Sequence, residues 1–251
     1  MQRYIVPQEA SRADGSVWLA GDDFHHLTRV MRLRAGDEVI VSSGGSSSVC
    51  RIAAVEADGA RLEPVRACGR AETALAVTWL QGLPKGDKID LVIRHACEIG
   101  ARSLWVFAAK RSVAALPPDR VDGRLVRWRR MAKEGSELAQ RDDSLEVHYF
   151  SSLSAAIAAI PTGIPLLVPY EAQDRGLPGA RLIFAQLPLK EAAVSFVIGP
   201  EGGFAPDEIQ SLETCGGILF TLGPRVFRTE TAGMVTASAL FYERGELGGS
   251  E

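Results

Sequence analysis

Hydrophobic and polar positions along this 251-residue chain change rhythm once, near residue 72. Up to about residue 70 the apolar positions fall in short β-type runs: SVWLA, DEVIVSS, SVCRIAAVEA and ARLEPVRA. Turn clusters at Ser42 to Ser48 and at Ala57-Asp58-Gly59 separate them. Short strands at this spacing predict a small β-barrel or sandwich. One helical turn, DDFHHLTRVMRL, interrupts the strands, with Asp22 or Asp23 expected as its cap.

Beyond residue 72, strands are predicted at LAVTWLQ (75–81), SLWVFA (103–108), LEVHYF, PLLVPY, VSFVI and GILFTL. Between them, helices are predicted from Asp87 to Ile99, from Asp119 to Gln140, over 152–159, from Pro206, and from Glu230 to Tyr242. The longest places Val121, Leu125, Trp128, Ala132 and Leu138 near the helical period, and 171–181 reads as a polar link. Strands alternating with helices predict an α/β domain whose mostly parallel sheet is covered on both faces. The domains are therefore expected at 1–70 and 72–251, with the break between Cys68 and Thr73.

Composition adds little to this picture: 46% apolar and 24% charged residues are ordinary for a globular protein. No apolar run approaches the ~20 residues of a membrane span, and MQRYIVPQEASRADGS lacks the apolar stretch of a signal peptide. A cytoplasmic protein with no membrane role is expected. Cys50, Cys68, Cys97 and Cys215 show no paired spacing, which predicts reduced core thiols and no metal site. The net charge of -3 is unevenly spread. Residues 1–70 are neutral, 71–150 carry +2 and 151–251 carry -5, so only the middle section suits a polyanion.

Ligands of open parallel sheets bind at the carboxyl ends of strands. Three such ends are specialised here: Pro169-Tyr170-Glu171, the loop Gly199-Pro200-Glu201-Gly202-Gly203, and Gly223-Pro224-Arg225 followed by Arg228-Thr229-Glu230-Thr231. The glycine loop is neither a P-loop, for want of G-x-x-x-x-G-K-[ST], nor a G-x-G-x-x-G fingerprint. Asp207 and Glu208 occupy the first turn of the next helix and would satisfy its amides internally. With Glu201 beside them, the loop suits a neutral or cationic ligand; adenosine bearing a sulfonium or amine fits, and ATP does not.

IGPEGGF followed by LGPRVFRTETA resembles the signature of the SPOUT-class methyltransferases of the ribosomal small-subunit methyltransferase E type. HHLTRVMRLRAGDEV (25–39) is similar to that family's N-terminal domain, GLPKGDKIDLVIRHACEIGA (82–101) to the start of its catalytic domain, and RWRRMAKEGSE (127–137) to its middle helix. The resemblance implies a PUA-like N-terminal barrel for RNA and an α/β domain with a trefoil knot. It also implies a homodimer and S-adenosylmethionine-dependent methylation of uridine N3 in 16S rRNA of the small ribosomal subunit. The chain departs from the family pattern at Glu137-Leu138-Ala139-Gln140-Arg141, at Leu145 in place of a common proline, and at Gly233-Met234.

Under this resemblance the cofactor lies against Val168, Pro169 and Tyr170 of the first loop, and against Ile198, Gly199, Pro200, Glu201 and Gly202 of the second. From the third it takes Leu222, Gly223, Arg225, Val226, Thr229, Thr231 and Ala232. Tyr170 either stacks on adenine or packs in the core. Methylating N3 requires loss of its proton and stabilisation of charge spreading onto O2 and O4, for which Arg228 is the expected guanidinium. Glu201 and Glu230 are alternative bases, or hold a cofactor amine. Arg225 holds an RNA phosphate or the cofactor carboxylate. RNA contact is expected at His25, His26, Arg29 and Arg32, and at Arg127, within a stripe with Arg120, Arg124 and Arg130, and at Arg141. Lys85 and Lys88 open a helix capped by Asp87, with Asp90 at the capping-box position; either those aspartates or an RNA phosphate neutralises them. The rival readings are an RNA-binding protein without transfer activity, the same chemistry on another RNA, and a phosphate-transferring nucleotide enzyme.

Overall fold

The computed structural model describes residues 1–112, 116–171, 176–188 and 192–247. They form two compact units, Met1–Glu72 with Ser136–Ser144, and Thr73–Gly135 with Leu145–Glu251.

The first unit is built on a five-stranded sheet of order β1-β3-β4-β5-β2 among the described residues, with β1 Arg3–Ile5, β2 Val17–Ala20, β3 Glu38–Ser43, β4 Ser46–Val55 and β5 Gly59–Ala67. Alternate residues of β3 to β5, such as Val39, Val41, Ile52 and Leu62, pack with Tyr4, Leu19 and Leu27. Register shifts leave Val65 of β5 and Ala53 of β4 without an opposite residue, irregularities of the kind that bend a sheet and raise its twist. β1 and β2 do not pair, so the sheet is curled and open where a barrel or sandwich was expected. β1, three residues long and parallel to β3, was too short to show an alternation. Helix α1, Gly21–His25, starts without a side-chain cap, so Asp22 and Asp23 sit in its first turn rather than capping it. A π-helical turn, His26–Val30, follows.

A buried polar network fastens Ser136–Ser144 into this unit. Arg3 Nη1 donates to Asp142 Oδ1 at 2.7 Å and to the Arg141 carbonyl at 2.8 Å, and Arg141 Nη2 donates to Glu72 Oε2 at 2.8 Å. Glu137 accepts the Ile5 amide at 2.9 Å. Leu138, expected on the apolar face of its helix, is instead 80% exposed, because the helix turns Glu137 inward.

The second unit carries a wholly parallel six-stranded sheet of order β11-β9-β10-β6-β7-β8 among the described residues. Its strands are β6 Ala76–Gly82, β7 Ser103–Phe107, β8 Glu146–Phe150, β9 Leu166–Pro169, β10 Ala193–Ile198 and β11 Ile218–Phe220. One face carries α2 Lys88–Ile99, α3 Pro118–Leu138, α5 Ala180–Gln186 and α7 Thr229–Glu243, through Ile93, Trp128, Phe184 and Phe241. The other carries α4 Leu153–Ala158 and α6 Pro206–Thr214, through Ala156 and Leu212. Both faces are covered, which matches the unbroken apolar runs of the central strands. Helix α5 was not foreseen: its seven residues are too few to display a period. Of the cysteines, all free, Cys50 and Cys97 are buried as expected, whereas Cys68 is half-buried and Cys215 exposed.

Strand order reverses between β6 and β10, since the chain leaves β6 toward β7 and leaves β10 toward β11. Helix α7 then returns beneath that point. A Cβ on Gly233 would lie 1.7 Å from Trp79 Cζ2, so only glycine lets α7 come this close to β6. The departure from the family pattern at this position therefore has a packing reason.

Burial is the largest single influence on the Glu72 and Asp142 carboxyls and raises both. Hydrogen bonds from Arg141 and the Asp142 and Asp143 amides to Glu72, and from the Ala71 amide, Ser47 and Arg3 to Asp142, outweigh it and hold both below the usual range. Carboxyls depressed by folding add stability above their unfolded pKa and lose it as pH falls through the folded value. Glu72→Gln should thus lower stability at neutral pH and flatten its decline between about pH 5 and pH 2, read from urea midpoints across that range. Gly233→Ala should cost about 3 kcal/mol in the same assay, because Trp79 is fully buried and cannot yield.

Candidate functional site

The carboxyl ends of β9, β10 and β11 open into a cleft of about 650 Å³, within the size of small-molecule sites. Its glycine loop is shaped from within. The Gly203 amide closes a turn on the Pro200 carbonyl at 2.9 Å, and Gly203 adopts φ +65. A Cβ on Gly82, at the end of β6, would lie 2.7 Å from Pro200, so that strand and the loop pack backbone to backbone. A Cβ on Gly202 would lie 3.0 Å from Arg111 Cβ, and one on Gly199 would crowd Gly203 and Phe204. Both glycines line the cleft, as expected of residues that leave room for a ligand, and their missing side chains also make room for the protein itself.

The first turn of α6 is closed to phosphate. Glu208 accepts the Ala205 amide at 2.8 Å with one carboxylate oxygen and the Lys110 amide at 2.9 Å with the other, while Asp207 pairs with Lys110. The N-cap amide thus has an internal acceptor, and two carboxylates already occupy the turn where an anion would dock.

Thr229, the first residue of α7, ties three elements together. Its hydroxyl donates to the Gly199 carbonyl at 2.6 Å and accepts from Gln81 Nε2 at 2.8 Å. Gln81 Oε1 in turn accepts the Trp79 indole N–H at 3.0 Å. The third loop is turned by Gly223 at φ +108 and closed by Thr221, whose Oγ1 accepts the Gly223 amide at 3.1 Å.

Glu201 reaches out of the glycine loop toward α2. It accepts from the Lys85 amide at 3.2 Å and from Lys88 Nζ at 2.8 Å. Lys88 Nζ also stands 3.6 Å from Glu230 Oε2. Burial is the largest single influence on the Glu201 carboxyl and raises it, but Lys88 and the Glu201 and Lys85 amides together bring it below the usual range. The hydrogen bond to Glu201 holds the Lys88 ammonium above its usual range. So the partner that neutralises Lys88 is neither of the nearby aspartates. Asp87, the N-cap residue of α2, makes no side-chain cap bond, and Asp90 instead pairs with Arg127.

The cleft gathers most of the expected residues: Pro169 and Tyr170, Ile198 to Gly202, Leu222, Gly223, Arg225, Val226, Arg228, Thr229 and Ala232. Val168 is not among them; it is fully buried and packs toward α6. Glu230 and Thr231 are also outside the lining, because the start of α7 turns Glu230 inward to 8% exposure and Thr231 away. Lys88, Arg111, Glu171, Gly203, Phe204, Thr221 and Phe227 line the cleft as well. Of these Lys88 had been expected at RNA, and Glu171 and Gly203 stand in the strand-end loops already singled out; Arg111, Phe204, Thr221 and Phe227 were missed, although the basic pair Lys110-Arg111 after β7 was a signal. Arg225 and Arg228 are exposed and have no side-chain partner among the described residues. Lys88, Arg111, Arg225 and Arg228 face only Glu171 and Glu201 in the lining, so the cleft is positive although the chain is acidic.

Elsewhere, Arg141 is 4% exposed and bound to Glu72, which removes it from any RNA-facing surface. Arg127 is partly committed to Asp90, and Arg130 to Glu134. His25, Arg29 and Arg32 are exposed on and after the α1 and π-helical turns, Arg32 at φ +55, while His26 Nδ1 contacts the Tyr4 hydroxyl at 3.1 Å.

Residues 71–241 match a family of RNA methyltransferase domains, and residues 19–65 match an RNA methyltransferase PUA domain. The chain is 30% identical, over the full length of both proteins, to ribosomal RNA small subunit methyltransferase E of Bacillus subtilis (strain 168). A crystal structure described only as that of a hypothetical protein has TM-score 0.87 and 30% identity, covering 98% of this chain and all of that one. The ribosomal RNA small subunit methyltransferase E of Neisseria gonorrhoeae, solved bound to S-adenosyl methionine, has TM-score 0.81 and 24% identity, covering 96% and 97%, and shares the fold.

Proposed function

The chain belongs to the ribosomal RNA small subunit methyltransferase E family, and from that premise we propose that it transfers the methyl group of S-adenosylmethionine to N3 of a uridine in 16S rRNA. The observation that carries this reading is the cleft: bare glycine-loop backbone, with two exposed arginines, Arg225 and Arg228, that have no side-chain partner among the described residues. Glu208 takes the N-cap amide of α6, Ala205, and stands with Asp207 as two carboxylates in its first turn, which disfavours a phosphate-transferring enzyme.

Bound S-adenosylmethionine supplies an activated methyl on a sulfonium, so the protein's task is orientation and charge. Pro169 and Tyr170, the glycine loop, Leu222 to Val226 and Ala232 would hold the adenosine. Arg228 orients the uridine and stabilises negative charge on its carbonyl oxygens as N3 loses its proton. Arg225 holds an RNA phosphate or the cofactor carboxylate. A cationic surrounding favours the anionic form of the imide, so Arg228 eases the proton's departure. Glu230 lies outside the lining and Glu201 already accepts from Lys88 and the Lys85 amide, so the N3 proton passes to solvent.

In this reading residues 1–70 are the RNA-binding domain, with His25, His26, Arg29 and Arg32 facing RNA, and residues 72–251 the catalytic domain. The return of α7 beneath β10 and β6, after β11 at the sheet edge, supports the family's trefoil knot. The homodimer of this reading follows from the family resemblance. No described helix is long and apolar enough to cross a membrane. The working place of such an enzyme is the cytoplasm, and its partner the rRNA or the small subunit.

The test is methyl transfer from labelled S-adenosylmethionine to small subunits and to stripped rRNA, both lacking the modification, with nucleosides identified by mass spectrometry. 3-Methyluridine is expected. Absence of both transfer and cofactor binding would mean an RNA-binding protein without the activity. Arg228→Ala should lower the saturated rate by about a hundredfold or more while leaving cofactor affinity close to wild type. An unchanged rate would remove Arg228 from the chemistry. Gly202→Val should push the loop off Arg111 and weaken cofactor binding by about tenfold or more, read by calorimetry; undiminished affinity would place the cofactor elsewhere.

A further inference from the structure

Three elements that border the cleft meet at one ammonium. Lys88 stands at the first residue of α2, bonded at 2.8 Å to Glu201 of the glycine loop and 3.6 Å from Glu230 of α7. Glu230 Oε2 is buried and has no hydrogen-bond partner, so its compensation is the nearby charge of Lys88. The Glu201 carboxylate also takes the Lys85 amide, in the turn leading into α2, with both oxygens, at 3.2 and 3.3 Å. Asp87, the residue placed to cap α2, makes no cap bond. A loop residue more than a hundred positions later therefore serves the entry of this helix.

We propose that Glu201 and Lys88 are positioning residues: the carboxylate, clipped to the Lys85 amide and the Lys88 ammonium, fixes the glycine loop against the start of α2 and so sets the shape of the cofactor pocket. In this role Glu201 is neither the proton acceptor nor a ligand of a cofactor amine, and Lys88 is not an RNA phosphate contact. The assignment follows from occupancy. A carboxylate already accepting from an ammonium and an amide is a poor base, and an ammonium held by one carboxylate beside a second has little left for a phosphate. The pair also explains why an acidic residue is tolerated in a cleft that is otherwise positive. Only the affinity arm of the test below rests on the cofactor reading given above.

The first arm needs no ligand. Backbone amide exchange is measured on the full chain as wild type, Glu201→Ala, Lys88→Met, Lys88→Arg and the double variant Glu201→Ala with Lys88→Met. Exchange at Lys85, Gly202 and Gly203 should speed up by about tenfold in Glu201→Ala and Lys88→Met, the loss of one charge-assisted bond. The double variant should be no faster than the faster single, since one interaction is removed once, and Lys88→Arg should stay near wild type. Unchanged exchange in both single variants overturns the clamp.

The second arm titrates S-adenosylmethionine by calorimetry and follows the saturated transfer rate against pH. Affinity should fall by about tenfold in both single variants, with the saturated rate within a few-fold of wild type and an unmoved pH profile. If Glu201→Ala keeps its affinity but loses the rate, or loses the acidic limb of the profile, Glu201 is the base and the proposal fails. It fails equally if Lys88→Met loses affinity for RNA alone. A wild type that binds no S-adenosylmethionine would overturn the cofactor reading, and the exchange arm would still decide the clamp.

Discussion

The Thr229 hydroxyl must donate and accept at the same time, and its partners are a backbone carbonyl at the cleft and a side chain buried in the central sheet. It donates to the carbonyl of Gly199, the first residue of the glycine loop after β10, and it accepts from Gln81 near the end of β6. Gln81 is itself held by the Trp79 indole. A buried polar chain of this kind is stabilising only when every member is satisfied, and here the geometry of each link is good. Because Trp79 also packs where a side chain on Gly233 would otherwise stand, the position of α7, the entry of the glycine loop and the ends of the two central strands are fixed together. The cleft is the space left over when these elements are locked.

Electrostatics give that space its character. An acidic chain presents a positive cleft because its acidic groups are engaged elsewhere: Glu208 and Asp207 with Lys110, Glu201 with Lys88, Glu230 turned inward. Arg225 and Arg228 are left facing the opening. A surface of this sort can take a neutral or cationic nucleoside against backbone while meeting a polyanion at its rim. Net charge carries no such information, since it sums groups that never face the ligand.

Much of this was legible from local sequence. Alternation identified β3, β4 and β5, and unbroken apolar runs identified the parallel strands, because a strand's burial is written in its own side chains. The GPEGG and LGPR loops stood out since glycine and proline at a strand end announce an unusual backbone. Most of the cleft-lining residues followed from those loops. What failed were choices between partners. Arg141 looked like a free basic residue and proved to be buried against Glu72; Lys88 looked available to RNA and proved to be bound to Glu201. A charged residue in a sequence carries no mark of which opposite charge the fold will bring to it.

The sequence by itself thus determined the two kinds of architecture, the strands and most helices, and the three loops at the strand ends, each a property of residues within a turn or two of one another. Only the tertiary structure decided that Ser136–Ser144 belongs with the N-terminal unit, that Val168 and Glu230 stay out of the cleft lining, and that Gly199 and Gly202 also let the loop close on Phe204 and Arg111. Those outcomes rest on groups brought together from distant parts of the chain, whose distances and hydrogen bonds exist only once the core has closed.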